Sequence, residues 1–327
     1  EAHVEVARRA DALVIAPASA DCIANLASGR TPDMVTLTAL ATVAPILVAP
    51  AMDSQMWAHP ATQANVETLR ARGVTFVGPA EGRLASGRMG AGRLAEPAAI
   101  VGALRALLGR SRGDLSGRHV VVSAGPTQEP IDPVRYVGNR SSGKMGFAIA
   151  EAARDRGARV TLVTGPVALE TPPGIERRDV STVAQMLAVL QEVTATGDAL
   201  VMSAAPADFR PENPATQKMK KTPGQESMRI DLAKNPDILA SLPGGGVRVG
   251  FAAETENLAG NAVAKLASKR LAFIVANDVT AAGSGFGTDT NQVTMFHDDG
   301  RIEELPLMSK YAVAHAILDR VAERLPR

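Results

Sequence analysis

Short apolar runs alternate along the chain with longer segments of helical spacing, and this alternation limits the folds available to it. Apolar runs at residues 118–123, 158–164 and 199–203 have the length of buried strands, whereas residues 144–156 and 182–194 carry apolar positions three and four apart. Strands that are separated by helices pair in parallel through crossovers, and the helices cover both faces of the sheet. The sequence therefore predicts the α/β class.

A polar, glycine-containing break at residues 109–114 divides this pattern into two parts. The first part opens with a glutamate inside a helix-like run, and its strand candidates are residues 12–16, 44–49 and 74–77. Sheets of this class usually have about five or six strands. We therefore predict two Rossmann-like, flavodoxin-like three-layer units, of which the first is incomplete at its N-terminus. The predicted boundaries are residues 1–109 for the first unit, 110–116 for a linker and 117–327 for the second unit.

The composition excludes several classes of protein. The formal net charge is +1, and no basic stripe with interleaved aromatic residues appears, so we expect no nucleic-acid partner. No apolar run approaches the roughly 20 residues of a membrane span, so we expect no membrane partner. Cys22 is the single cysteine, which rules out an internal disulfide and is typical of the cytoplasm. The five histidines show no metal-ligand spacing, so we expect no zinc site.

The run from Gly138 to Lys144 is a prominent local motif. It reads Gly-Asn-Arg-Ser-Ser-Gly-Lys and fits the first seven positions of a Walker A loop. Met145 stands where a serine or threonine should hold magnesium, which disfavours a P-loop hydrolase. A glycine- and serine-rich turn that opens a helix still offers backbone N–H groups to an anion. The alternative is an ordinary helix start with serine capping.

Other polar residues follow predicted strands, at the edge where open α/β sheets bind ligands. Asp208 follows the strand at residues 199–203, and Asn277 follows a strand at residues 271–275. A carboxylate in this place could bind a ribose, a base or magnesium, and Phe251 could contact a base. The alternatives are a turn or helix-cap aspartate and a core phenylalanine.

Lysines at two places are candidates for binding phosphate groups. Lys265 and Lys269 are four residues apart on a predicted helix and therefore project from one face. Lys218 lies in the polar segment 210–226, which we predict to be a mobile loop that could close over a reacting phosphate. Solvated surface lysines are the alternative in both places.

Several runs of the second unit occur in an order that resembles one known family. They are SAGPTQEP (123–130), DPVRY (132–136), NRSSGKMG (139–146), KNPD (234–237), GFAAET (250–255) and AND (276–278). The whole segment from Leu115 onward resembles the ligase half of the bacterial bifunctional phosphopantothenoylcysteine decarboxylase / phosphopantothenate–cysteine ligase.

This resemblance implies a reaction in two steps. The carboxylate of 4′-phosphopantothenate attacks the α-phosphate of CTP, which gives an acyl-cytidylate and pyrophosphate, and the amine of cysteine then displaces CMP. Asn139 is implied to hold the acyl-cytidylate and Lys218 to assist the second step, with Mg²⁺ bridging the triphosphate. The implied nucleotide-binding residues are Met202, Ser203, Ala204, Asp208, Lys218, Pro236, Asp237, Ile238, Leu239, Phe251, Lys265 and Lys269.

The first unit resembles the decarboxylase half of the same family, an FMN flavoprotein. PASAD (17–21) and PAMDSQMW (50–57) match its two motifs, which implies that Ser19 lies at the FMN site. The family's first FMN-binding loop and its catalytic histidine have no match in the chain. We therefore expect this chain alone not to decarboxylate phosphopantothenoylcysteine.

Two catalytic positions of the first unit depart from the family pattern. Asp53 stands where an asparagine is usual, and an ionised aspartate would repel a substrate carboxylate. Ser86 stands where a cysteine commonly reprotonates the product, and a hydroxyl is a far weaker acid than a thiol. These residues indicate either a variant with another proton donor or an impaired decarboxylase.

Two functions from other classes compete with the ligase. A non-catalytic module that senses CTP is disfavoured by the set of Asn139, Asp208 and Lys218, because a sensor needs no acyl-transfer lysine. An NAD(P)-dependent oxidoreductase is disfavoured because the glycines at residues 87–92 run in the reverse order of the dinucleotide fingerprint. The resemblance implies small-molecule substrates and a dimer of ligase units.

Overall fold

A computed structural model of the protein describes residues 2–84, 86–220, 226–254, 258–278, 283–285 and 287–326. Residues 221–225 of the polar segment 210–226 and Thr255, the last residue of the GFAAET run, lie outside the described residues. The chain divides into two compact units, residues 1–116 with 155–157 and residues 117–154 with 158–327.

The first unit contains a parallel sheet in the strand order β1-β2-β3. Its elements are α1 Ala2–Arg9, β1 Leu13–Ala18, α2 Ala20–Ser28, α3 Met34–Ala41, β2 Ile46–Pro50, α4 Ser54–Ala58, α5 Pro60–Ala71, β3 Thr75–Phe76, β4 Ala80–Arg83, β5 Met89–Arg93 and α6 Pro97–Arg112. The three strands predicted from the sequence are those of this sheet. Helices α2 and α5 pack together over it, and their core residues include Ile23, Val66 and Leu69.

The second unit is built on a larger sheet in the order β10-β9-β6-β11-β14-β15-β16-β17. Its elements are β6 His119–Ala124, β7 Gln128–Pro130, β8 Tyr136–Gly138, α7 Lys144–Asp155, β9 Arg159–Thr164, β10 Glu176–Asp179, α8 Val183–Thr194, β11 Ala199–Met202, β12 Phe209–Pro211, β13 Leu232–Lys234, α9 Ile238–Ser241, β14 Val247–Glu254, α10 Leu258–Ser268, β15 Phe273–Asp278, β16 Thr290–His297, β17 Ile302–Ser309 and α11 Lys310–Arg324. The strands from β10 to β15 are parallel, and β16 and β17 are antiparallel. The α/β class predicted from the alternation is confirmed.

The order of the strands places a switch in the winding between β6 and β11. The chain leaves β6 toward β9 and β10 on one side, and later continues from β11 toward β14 and β15 on the other. Loops that leave the two central strands diverge there, so a crevice opens at their carboxyl ends. The fold therefore selects the loops after β6 and β11 as the place for a ligand.

Amphipathic spacing attaches the helices to this sheet. On α8 the residues Val183, Met186 and Leu190 are fully buried, and they recur at the intervals that align one helix face. Burying a side chain of this size contributes about 2 kcal/mol. The helix begins with a capping box, in which the Thr182 hydroxyl accepts from Gln185 N at 3.3 Å and the Gln185 side chain accepts from Thr182 N at 3.3 Å.

The short elements of the structure agree with the sequence predictions only in part. The Asp-Asp-Gly run at residues 298–300 predicts a hairpin turn, and the structure confirms a turn there that joins β16 to β17. The alternating run at residues 228–232 predicts an edge strand, and this prediction is wrong, because only Leu232 belongs to a strand, β13, which pairs with β12 outside the main sheet. Helices α2 and α3 and the hairpins β4–β5 and β7–β8 were not predicted, because elements of three to nine residues are too short to show a clear period in the sequence.

Among the residues that the structure describes, none of the helices combines the length and the apolar character that a bilayer span requires.

The stability of the second unit is expected to depend on pH through His119. Its ring is buried at the start of β6, with Nε2 2.9 Å from Thr161 Oγ1 and Nδ1 3.3 Å from the Thr196 carbonyl oxygen. Burial lowers the pKa of His119, which the Thr196 carbonyl only partly opposes. The unfolded chain, with an ordinary histidine pKa of about 6.5, therefore binds more protons below that pH, and stability falls as the pH decreases.

We expect His119→Gln to lose less stability than the wild type between about pH 6.5 and 5, because it removes one of the groups that must bind a proton on unfolding. The measurement is the midpoint of urea unfolding across this range. Above about pH 7.5, where the imidazole is neutral in both states, the difference between the two proteins should be constant. Equal slopes below pH 6.5 would contradict this assignment.

Candidate active site

A cavity of about 290 Å³ opens in the second unit at the carboxyl ends of the parallel strands. The loops that follow β6 and β11 form one side of it, and residues at the ends of β14 and β15 form another. The predicted residues that line it are Asn139, Met202, Ser203, Ala204, Asp208, Asp237, Ile238, Leu239, Phe251, Lys265 and Lys269. The fold thus brings together in one cavity residues that are up to 130 positions apart in the sequence.

Helix α7 begins at the edge of this cavity. The Ser141 hydroxyl accepts from Gly143 N at 3.3 Å, and the Ser142 hydroxyl accepts from Lys144 N at 3.4 Å. Gly146 lies in the first turn, where a Cβ atom would come within 2.5 Å of Ala124 Cβ at the end of β6. Any larger residue would push the helix start away from the strand, so this glycine sets the position of the anion-binding N–H groups.

The resemblance to a Walker A loop ends at Met145, as the sequence indicated. Met145 is buried, and its Sδ lies 4.0 Å from Asn291 Nδ2. Lys144 does not extend over the loop as a Walker lysine does, since its Nζ bonds Asp289 Oδ1 at 2.7 Å and the Gly287 carbonyl at 2.8 Å. The hydroxyls of Ser141 and Ser142 already accept from the N–H groups of Gly143 and Lys144, as the serine-capping alternative expects.

Asn139 is fixed at the junction between the two central loops. Its Nδ2 donates to the carbonyl oxygens of Ala205 at 3.2 Å and Pro206 at 3.0 Å, which follow β11. The same two loops are joined where Ala205 N donates to Gly125 O at 2.9 Å. Asn139 is exposed to the cavity, so its side chain can contact a ligand while its amide is held in place.

The two predicted phosphate-binding lysines both lie at the cavity, and Lys269 has an acidic partner there. Both line the cavity, but Lys269 forms an ion pair with Asp237 at 2.9 Å. Asp237 also caps α9 by accepting from Ala240 N at 3.2 Å. Burial is the largest single influence on Asp237 and opposes its ionised form, but Lys269 and the backbone N–H groups of Ala240 and Leu239 together outweigh it, so the pKa of the carboxyl is lowered. A phosphate that binds Lys269 must replace this carboxylate or share the lysine with it.

Lys310 and Asn291 line the cavity as well, and sequence reasoning missed both. Lys310 is buried and donates to the carbonyl oxygens of Gly285 at 2.9 Å, Thr288 at 2.6 Å and Thr290 at 3.0 Å. Burial lowers the pKa of this lysine, and nearby Lys144 adds to the effect. No motif marks Lys310, because the β16–β17 hairpin alone returns the start of α11 to the carboxyl end of β15.

Two of the predicted nucleotide-binding residues, Pro236 and Lys218, do not line the cavity. Pro236 is exposed and does not line it, although Asp237 does. Lys218 is also exposed, and the structure holds the segment around it through the backbone of Met219, whose N–H donates to Asp132 Oδ2 at 3.2 Å. Among the described residues, no group of three histidine, cysteine, aspartate or glutamate side chains could hold a metal ion.

The first unit has its own cavity of about 410 Å³, and it brings Asp53 and Ser86 together. The Ser86 hydroxyl donates to Asp53 Oδ2 at 2.9 Å, and Asp53 Oδ1 accepts from Gln55 N at 3.0 Å at the start of α4. Ser19 is exposed at the end of β1, where it caps α2 by accepting from Cys22 N at 3.2 Å. The two departures from the family pattern are therefore bonded to each other.

The hydrogen bonds of Asp53 lower the pKa of its carboxyl, first through Gln55 N–H and then through the Ser86 hydroxyl. We expect Ser86→Ala to raise the pKa of Asp53 toward its ordinary value of about 3.9, because one donor to the ionised form is lost. Carbon-13 NMR of labelled aspartate carboxyls would measure this. Ser54→Ala, which removes a neighbouring hydroxyl, is the control, and an unchanged Asp53 pKa in Ser86→Ala would contradict the bond.

Comparison with known proteins assigns both units. Residues 1–109 match the family model described as Flavoprotein, and residues 115–325 match the DNA/pantothenate metabolism flavoprotein C-terminal domain. The chain is 45% identical over 325 residues to the coenzyme A biosynthesis bifunctional protein CoaBC of Vibrio parahaemolyticus, covering 98% of this chain and 81% of that protein. The protein of the same name from Bacillus subtilis is 46% identical over 325 residues, covering 98% of this chain and 80% of that protein.

A solved structure resembles the second unit. The crystal structure of the C-terminal domain of a coenzyme A biosynthesis bifunctional protein CoaBC aligns with a TM-score of 0.55 and 37% sequence identity. The alignment covers 64% of this chain and 97% of that structure.

Proposed function

The chain belongs to the family of coenzyme A biosynthesis bifunctional proteins, and from that premise we propose that its second unit is a CTP-dependent ligase joining 4′-phosphopantothenate to cysteine. The observation that carries this proposal is the cavity at the switch between β6 and β11. It is lined by the held amide of Asn139, by the carboxylate of Asp208 and by lysines on its far side. A site that binds a nucleoside triphosphate together with a carboxylate substrate needs this combination of hydrogen-bond donors and positive charge.

In the first step the carboxylate oxygen of phosphopantothenate bonds to the α-phosphorus of CTP, and pyrophosphate leaves with the electron pair of the broken P–O bond. Both reactants are anions, so the site must offset their repulsion. The N–H groups at the start of α7 and the ammonium groups of Lys265 and Lys269 supply positive charge. Asn139 would donate to the acyl-cytidylate from the position that Ala205 and Pro206 fix.

Magnesium suits this site as a companion of the triphosphate. Mg²⁺ is usually bound through one or two carboxylates together with substrate phosphates and water. Asp208 is exposed at the cavity and can supply such a carboxylate. The ion would neutralise phosphate charge, while the cavity's own residues orient the two reacting groups.

In the second step the amine of cysteine attacks the acyl carbon, and CMP leaves with the former carboxylate oxygen. Lys218 lies outside the cavity lining, on an exposed segment, and we assign it to this step. Its ammonium group would offset the charge that develops on the departing phosphate. The step needs no further reactant, since the proton that the amine loses passes to solvent.

For the nucleoside, residues Met202 to Ala204 and Asp208 would contact the ribose or the cytosine. Ile238, Leu239 and Phe251 add an apolar wall to the same cavity. Ile238 and Leu239 are also buried in the core of the unit, so this wall is rigid. Pro236 supports it indirectly, through the capping residue Asp237 that follows.

For the first unit we propose an FMN-binding domain of the decarboxylase type. Ser19, at the carboxyl end of β1 and at the start of α2, is suitably placed to donate to the cofactor. Bound flavin would supply the oxidation that makes the substrate carboxylate a better leaving group. Asp53 and Ser86 form a bonded pair in the neighbouring cavity, so the Ser86 hydroxyl is already donated to a carboxylate. This pair would repel a substrate carboxylate and makes Ser86 a poor proton donor.

We further propose that the ligase unit is a dimer. Large apolar side chains are exposed on β8, β12 and β13 and on the turn before β8, where Val134 is 60%, Tyr136 is 55%, Phe209 is 48% and Leu232 is 46% exposed. The hairpins that carry them contact one another, so these side chains lie on neighbouring segments. Covering them with a second copy would remove this apolar surface from water.

The ligase assignment is tested by pyrophosphate release from CTP with and without 4′-phosphopantothenate. We expect release to require phosphopantothenate, and Lys218→Gln to retain this release but to accumulate acyl-cytidylate when cysteine is added, because its defect lies in the second step. Lys220→Gln, which changes a neighbouring exposed lysine, is the control and should behave as the wild type. Pyrophosphate release that never depends on phosphopantothenate would reject the ligase.

A further inference from the structure

The backbone that leads into β16 surrounds the side chain of Lys310 with oxygen atoms. Lys310 is the first residue of α11 and is buried. Its Nζ donates to the carbonyl oxygens of Gly285 at 2.9 Å, Thr288 at 2.6 Å and Thr290 at 3.0 Å, and to Thr288 Oγ1 at 3.3 Å. These four atoms, called the oxygen cage below, come from one short stretch of chain and enclose a single ammonium group.

The oxygen cage has the composition of a site for a monovalent cation. A lysine ammonium group has three N–H donors and no acceptor, so the three carbonyl oxygens use its full capacity. Backbone carbonyl oxygens are also the ligands that replace the hydration shell of K⁺ in proteins. Burial and nearby Lys144 lower the pKa of Lys310, but a neutral amine would turn its lone pair toward one of these oxygens. The oxygen cage therefore favours the charged form.

The same stretch of chain holds Lys144 at the start of α7. The Gly287 carbonyl and the Asp289 carboxylate accept from Lys144 Nζ at 2.8 Å and 2.7 Å. Lys310 N also donates to the Asp289 carbonyl oxygen at 2.9 Å. Residues 287–290 thus lie between two ammonium groups, one inside the oxygen cage and one at the edge of the cavity. The position of Lys144, beside the N–H groups proposed to bind phosphate, depends on how these residues fold.

The oxygen cage is also connected to the wall of the cavity. Gly285, whose carbonyl belongs to the oxygen cage, lines the cavity. The preceding residue, Ser284, is buried, and its Oγ lies 2.7 Å from the side-chain oxygens of Asn277 and Asn291, which line the cavity as well. Carbonyl oxygens that converge on one point repel each other unless a positive charge lies between them. Loss of the ammonium group would therefore rearrange this side of the cavity.

We propose that Lys310 serves as a built-in monovalent cation, which folds the chain before β16 around its ammonium group and thereby positions Lys144 for the first step of the ligase. This inference rests on the proposed ligase function. Lys310 acts as a positioning residue, because its three N–H donors are used by the oxygen cage and none remains for a phosphate. A free cation of similar size, K⁺ or ammonium, should therefore replace it once the side chain is removed.

The test is Lys310→Ala in the full chain, which removes the ammonium group and leaves room for a free cation. In tetramethylammonium chloride, whose cation is too large for the oxygen cage, we expect phosphopantothenate-dependent pyrophosphate release to fall at least about tenfold, because hydrogen bonds from a charged donor are lost. Potassium or ammonium chloride should restore most of this loss. The wild type should change by no more than about twofold between these salts at one ionic strength.

Lys310→Met is the matched control, because its side chain fills the space of the lysine stem without supplying a charge. It should show the same loss in tetramethylammonium chloride and little recovery in potassium chloride. The thermal unfolding midpoint of Lys310→Ala should rise with the K⁺ concentration, since the ion binds only the folded protein. Adding Thr288→Val to Lys310→Ala should weaken this rise, because it removes one oxygen of the cage.

Full activity of Lys310→Ala in tetramethylammonium chloride, a loss that K⁺ does not restore, or equal recovery of Lys310→Met would overturn the proposal. A midpoint that recovers without activity would reject the positioning role. If Lys310→Ala does not fold in tetramethylammonium chloride, return of its native circular dichroism in potassium chloride supports the proposal, and no return rejects it. If the wild type shows no phosphopantothenate-dependent release, the ligase assignment fails instead, and the unfolding midpoints still test the oxygen cage.

Discussion

The parallel pairing of β6 with β11 is the contact on which the candidate site depends. In the main sheet, β9 and β10 lie on one side of this pair, and β14 and β15 lie on the other. The loops at the carboxyl ends of β6 and β11 therefore lead in opposite directions and leave a crevice between them. The first loop brings Asn139 and the start of α7, and the second brings Asp208. The bond from Ala205 N to Gly125 O joins these loops, and the Asn139 amide reinforces the junction. A displacement of either strand would therefore move both halves of the site.

The lysines that line the cavity already have partners within the protein, and carboxylates neutralise part of their positive charge. Lys269 pairs with Asp237 and Lys144 pairs with Asp289, whereas Lys310 is bonded to backbone carbonyl oxygens. Pairing lowers the cost of holding several ammonium groups close together in a partly buried place. Under the proposed function, an entering triphosphate would replace a carboxylate as the partner of these lysines. Such an exchange would let a site of mixed charge bind a polyanion and also release pyrophosphate.

The sequence predicted every strand of the two main sheets except β10, and eleven of the residues that line the cavity, because buried strands and the motifs after them leave local signals. It failed where a position depends on distant chain. Lys310 reaches the cavity through a hairpin that no periodicity connects with β15, and the pairing of Lys269 with Asp237 joins two elements that the helix pattern cannot relate. The hydrogen bond from Met219 N to Asp132 Oδ2 likewise joins residues 87 positions apart. Local patterns thus place side chains on elements, and tertiary contacts decide their partners.

The fate of the carboxylate oxygens of phosphopantothenate tests the central claim most directly. With both oxygens labelled as oxygen-18, attack on the α-phosphate of CTP requires that each turnover leave one labelled oxygen in CMP and one in the new amide. Mass spectrometry of the products from CTP, labelled phosphopantothenate and cysteine reports this distribution. The account predicts one label per CMP and none in pyrophosphate. Label in inorganic phosphate or pyrophosphate, with unlabelled cytidine nucleotide, would contradict it, since the carboxylate would then have attacked the γ- or the β-phosphate.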